Sequence, residues 1–133
     1  MAKDIISAEG GSLSFGDRTL AEKTKKDGFE YDGDIYKVKT YSAITKLEKN
    51  EMFIYESVPG TDVADFAADA EGVTFTVSGS QETQITLGLG DDAEYDIIID
   101  GETLDSVETS MGGKLAMVVD LSDGPVKVGV RRR

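Results

Sequence analysis

The sequence predicts an all-β chain: a small antiparallel β-sandwich with a strand-rich N-terminal extension packed on it. Three observations carry this reading. Apolar residues recur at every second position in Tyr95-Ile97-Ile99, Leu115-Met117-Val119-Leu121 and Val126-Val128-Val130, the period of a strand with one buried face. Asp32-Gly33 and Asp100-Gly101 are hairpin signals, because glycine accepts the positive φ of tight turns. Several such segments follow one another with turns between them, the pattern of sandwiches and barrels.

Taken in order, Ile5-Ile6 and Leu13-Ser14-Phe15 read as short strands joined through Gly10-Gly11. The polar stretch from Asp17 to Gly28 fits either a short helix capped by Asp17 and stopped by Gly28, or a charged loop. Phe29 to Tyr31 and Ile35 to Tyr41 form a hairpin about Asp32-Gly33. Residues 42–49 read as a strand, since β-branched and aromatic residues surround them. Asn50 turns the chain. Met52-Phe53-Ile54-Tyr55 is continuously apolar, which predicts burial on both faces.

Val58-Pro59-Gly60-Thr61 is the boundary signal, giving an N-terminal strand-rich region over 1–59 and a sandwich of roughly seven strands over 60–133. The punctuation is too short for a flexible linker, so the two are expected to pack as one unit. Val63, Phe66, Ala67 and Ala70 match a helical period, whereas Ala64, Phe66 and Ala68 match a strand. The strand is preferred, because Glu71-Gly72 then makes a hairpin with Val73 to Val77. Ile85, Leu87 and Leu89 supply the next inward set, Leu104 and Val107 a weaker strand ended by Met111-Gly112-Gly113, and residues 122–125 the last turn. The expected core holds Phe75, Ile85, Leu87, Ile97, Ile99, Leu115, Met117, Val119 and Val128.

The 133 residues carry a net charge of −12. Residues 1–59 hold 9 basic and 11 acidic side chains, and residues 60–133 hold 5 and 15. A chain so acidic repels phosphate backbones, so no nucleic-acid partner is expected. No apolar run is long enough for a membrane-spanning helix, so no membrane insertion is expected. The first residues lack the apolar core of a secretory signal, so a cytoplasmic location is the expectation.

Histidine and cysteine are both absent. This removes histidine-based acid–base work, Ser–His and cysteine nucleophiles, and ordinary zinc sites. Carboxylate pairs remain, but among 26 acidic residues some pair always falls at a workable separation, so the signal is not specific. Asp91, Asp92 and Glu94, with Asp120 or Asp123, are the oxygen ligands a calcium loop would use. The EF-hand spacing is missing, and acidic surface is the better reading. Neither cofactor nor metal is expected. Tyr31, Tyr41 and Tyr55 are the candidate ligand-binding residues, as a flat aromatic platform. Ile98 and Val118 are the candidate interaction face, because alternation turns both outward, where residues 29–58 or a second copy would cover them.

Two resemblances accompany these readings. Residues 95–101 (YDIIIDG), 113–121 (GKLAMVVDL) and 126–130 (VKVGV) resemble the small β-sandwich accessory domains appended to polysaccharide lyases and glycosidases. Residues 8–17 (AEGGSLSFGD), 31–40 (YDGDIYKVKT) and 55–60 (YESVPG) are similar to short clostridial proteins carrying the name "endosialidase". The second resemblance implies action on sialic acid polymers. Sialidases grip the substrate carboxylate with arginines from separate strands; here the arginines are Arg18 and the consecutive Arg131, Arg132 and Arg133, so no catalytic residue carries over. The expected function is a non-catalytic structural or interaction module that self-associates or binds a protein partner. The alternatives are a carbohydrate-binding module and, behind it, an enzyme acting on sialic acid polymers.

Overall fold

A computed structural model describes residues 5–133. Thirteen strands appear in order: β1 (Ile6–Glu9), β2 (Ser12–Phe15), β3 (Thr24–Tyr31), β4 (Asp34–Thr40), β5 (Thr45–Lys49), β6 (Met52–Val58), β7 (Asp62–Asp69), β8 (Gly72–Ser78), β9 (Glu82–Gly88), β10 (Glu94–Ile99), β11 (Glu102–Glu108), β12 (Lys114–Asp120) and β13 (Val126–Arg132). They form two packed antiparallel sheets. One has seven strands in the order β1-β2-β7-β8-β13-β10-β11; the other has six, β12-β9-β6-β5-β4-β3. The chain is an all-β sandwich, and no described residue is helical.

The alternation read from the sequence sets the core. Val73, Phe75 and Val77 point inward from the seven-stranded sheet, and Ile85, Leu87, Leu115, Met117 and Val119 from the six-stranded one. Every expected core residue belongs to this cluster, Ile99 as a partly buried member. Its centre is aromatic: the rings of Phe15 and Tyr55 meet edge-on at 5.2 Å, and those of Tyr55 and Phe75 at 5.6 Å. Edge-to-face contact places the positive ring edge on a negative ring face.

Residues on either side of position 59 share both sheets. Leu13 of β2 pairs with Phe66 of β7, and Tyr55 of β6 pairs with Leu87 of β9. The N-terminal strands thus extend both sheets in plane. The 58–61 segment, which includes a cis Val58-Pro59 bond, carries the chain from one sheet to the other.

Two expectations are corrected, and one ambiguous spacing is explained. The Asp17–Gly28 stretch ends in strand β3, not in a helix: the Asp17 carboxylate accepts the Thr19 N–H at 3.0 Å in a turn, and Gly28 has φ +70 within an irregularity in the β3–β4 register. Met52–Tyr55 is not buried on both faces, since Met52 is 70% exposed. An irregularity opposite Leu47/Glu48 leaves Ile54 without a paired partner and changes which face its neighbours occupy. The helical spacing of Val63 and Phe66 has the same origin. Asp65 takes φ +56, and the register shifts between Ala64 and Ala67, so both Val63 and Phe66 point inward.

Candidate functional site

The turns Gly10-Gly11, Asp32-Gly33, Asn50-Glu51 and Ala70-Glu71 gather at one end of the sandwich, with the 89–93 and 109–113 connections and Arg132. A cleft of about 480 Å³ opens there between the sheets. Tyr31, Tyr36, Lys49 and Ile54 line it from the six-stranded sheet; Phe66, Asp69, Tyr95 and Arg132 line it from the other. The Tyr31 and Tyr36 ring centroids lie 6.4 Å apart. The Tyr95 hydroxyl accepts the Gly90 N–H at 3.0 Å.

Charge at the mouth is organised by Asn50. Its Nδ2 donates to Asp34 at 2.8 Å, and Lys49 Nζ stands 3.4 Å from the same carboxylate. The Asn50 hydrogen bond, and then Lys49, hold the Asp34 carboxyl below its usual range. Burial raises the Tyr36 phenol, helped by the nearby Asp34, so it is a neutral donor at pH 7. Arg132 has no ion-pair partner within 4.0 Å among the described residues. The cleft thus offers aromatic surface, carboxylates and a guanidinium, the groups that recognise hydroxyl-rich ligands.

Of the three candidate tyrosines, only Tyr31 lies here. Tyr41 follows β4 at the opposite end, roughly 20 Å away by the rise of a strand. Tyr55 is fully buried and forms no platform. Its hydroxyl bonds Thr61 Oγ1 at 2.8 Å, which also bonds Ser57 Oγ at 2.8 Å. Thr45 Oγ1 donates to the Thr61 carbonyl at 2.8 Å and pairs with Thr40 Oγ1 at 2.8 Å. Burial pushes the Tyr55 phenol up to about 12, against the opposing hydrogen bonds from Thr61 and Ser57. Every hydroxyl in this network is partnered, so it pins the end of the sandwich and offers no free nucleophile. Tyr36, Tyr95 and Arg132 were missed as site residues because their meeting depends on how the two sheets stack.

Ile98 and Val118 do not share a face. Ile98 lies on the outer face of the seven-stranded sheet and is half-buried; Val118 lies on the outer face of the six-stranded sheet, 63% exposed. Residues 29–58 belong to the six-stranded sheet itself and cover neither.

Asp91 and Asp120 fall at opposite ends of the β9–β12 pair. Asp91 accepts the Gly112 N–H at 3.2 Å, and Glu94 meets Arg133 at 3.5 Å. Among the described residues no cluster of carboxylates is placed to hold a metal ion, and no helix is long and apolar enough to cross a membrane. The arginines do not converge: Arg18 bonds Asp62 at 2.6 Å at one end, and Arg132 stands at the other.

The sheets also end unequally. On one side β11 closes the seven-stranded sheet and β12 the six-stranded one. Apart from half-buried Val107, every β11 residue is exposed, so no strand of the other sheet covers it. Comparison with known proteins finds no family model, no curated protein and no solved structure that matches this chain.

Proposed function

We propose that this chain is a non-catalytic interaction module, and that it works by strand addition at the free side of the sandwich. The observation that carries this is the unequal ending of the sheets: seven strands against six leave the backbone edge of β12 open beside the uncovered β11. Strand addition needs an edge with free N–H and C=O groups and room for the added side chains. Amide exchange tests it. The edge amides of β12 should exchange quickly in the isolated dilute chain and slow when a strand-forming partner is added. Equal exchange with every added strand, and at every chain concentration, would sink the reading.

The cleft favours a second reading, a carbohydrate-binding module. Tyr31 offers a ring face, while Arg132, Asp34 and Asp69 offer charged hydrogen-bond groups to hydroxyls. A glycan screen with the parent chain and Tyr31→Ala tests it: binding that the substitution abolishes supports the reading, and an empty screen counts against it. An enzyme acting on sialic acid polymers has the least support, since Arg18 and Arg132 stand at opposite ends.

A further inference from the structure

We propose that the edge of β12 accepts an extended, basic segment of a partner protein as the missing seventh strand of the smaller sheet; this rests on the interaction-module reading. The backbone parity of β12 fixes which groups are free. Leu89 N–H donates to the Gly113 carbonyl at 2.8 Å, and Leu121 N–H to the Gln81 carbonyl at 3.2 Å. Hydrogen-bonded positions alternate along an antiparallel pair, so Leu115, Met117 and Val119 also turn their amides toward β9. The N–H and C=O groups of Lys114, Ala116, Val118 and Asp120 point to the open side.

The other three edges are blunted along their length, whereas β12 carries charge only at its two ends, Lys114 and Asp120. β1 has four residues. β3 is irregular and carries Lys25 and Lys26. β11 is irregular between Thr103 and Asp105 and carries Glu102, Asp105 and Glu108. Bulges, short length and charges are the usual devices that stop edge pairing. β12 pairs with β9 over all seven residues without a break, contains no proline, and presents Ala116 and Val118 beside its open edge.

The chemistry of the occupant follows from β11. Asp105 pairs with Ile97, and Glu102 with Ile99. Directly opposed residues share a face, so both carboxylates sit on the face turned toward the smaller sheet, where their neighbours are apolar. A strand added to β12 would lie against that face. Inward carboxylates repel an apolar or acidic strand and favour one with lysine or arginine at the inward positions. A second copy's β12 would bring its own β11 into the same space, so the place suits a lone strand better than another sandwich.

The test uses a blocked peptide of about eight residues, the length of a strand, in which lysine or threonine alternates with valine. An acidic counterpart has glutamate for lysine. Amide exchange and titration are followed by NMR on the full chain. The basic peptide should slow the amides of Ala116 and Val118 and bind at least about tenfold more tightly than the acidic one. Val118→Pro removes an outward N–H without touching the β9 ladder, and should abolish this binding. Asp105→Lys, on an exposed strand, should weaken the basic peptide and strengthen the acidic one. Equal binding of the two peptides would overturn the proposal while leaving strand addition standing. So would protection that appears without peptide on raising the chain concentration, since a second copy then owns the edge. No protection under any condition would overturn both.

Discussion

Glycine is required at single residues for two separable reasons. Gly101 has φ +85 with open space around it, whereas Gly72 has φ +149 and its added Cβ would collide with the Val130 carbonyl. Gly101→Ala should therefore cost only backbone strain, about 1 kcal/mol. Gly72→Ala should cost roughly a further 1–3 kcal/mol, because β13 must move. Equal denaturation midpoints for the two variants would contradict this placement of β8 against β13. Tyr55 supplies a pH test. Its phenol is raised from 10.0 to about 12, so the fold holds the proton more tightly than the unfolded chain does. That stability is fully present below pH 10.0 and is lost as pH rises toward about 12. The loss should approach roughly 2–3 kcal/mol. Tyr55→Phe should remove this alkaline loss, and should itself cost about 1–3 kcal/mol at neutral pH by leaving buried hydroxyl partners short of a bond. Alkaline unfolding followed for both chains checks the pair of effects.

Strand parity and cross-strand charge decide behaviour at the level of elements. Proline at 118 removes an amide that faces outward, while proline at 117 removes one that bonds β9. Met117→Pro should unfold the chain or cost more than about 3 kcal/mol; Val118→Pro should cost well under that. Thermal melts of the two distinguish them, and similar losses would mean that the parity is reversed. On the other half of the same sheet, Lys25, Lys39 and Lys46 stand directly opposite one another across β3, β4 and β5. Partial burial, and then Lys23, Lys46 and Lys25, lower the Lys39 pKa. Like charges in direct register oppose pairing, so Lys39→Glu should stabilise by roughly 0.2–1 kcal/mol, less at high salt. Urea unfolding at two salt concentrations measures it.

The whole molecule is a single sandwich because neither half can close both sheets. Residues 60–133 retain β7 to β13, yet only β9 and β12 of these belong to the six-stranded sheet. Severed from β3 to β6, this fragment would expose Phe75, Phe66 and Val77 to water. It should fail to fold alone, giving poor amide dispersion in NMR, and recover only when residues 1–59 are supplied. A well-dispersed spectrum from the isolated fragment would restore two independent units.

The sequence by itself determined the strands with clean alternation and their turns. Ile97, Leu115 and Val128 point inward because period-two patterning is a local property, and Asp100-Gly101 turns because its backbone needs φ values of +50 and +85. The first part of β3, residues 24–28, was not legible: it has no apolar stripe and exists because β4 offers it a ladder. Alternation turns Ile98 and Val118 away from the inward set of their own strands. Only the tertiary structure decided that those outward faces belong to different sheets, because alternation fixes a side of a strand and not the sheet that the strand joins. The cleft has the same origin. Tyr31 was visible as a candidate, but Tyr36, Tyr95 and Arg132 reach it through the stacking of two sheets, and stacking is set by long-range packing that local pattern does not encode.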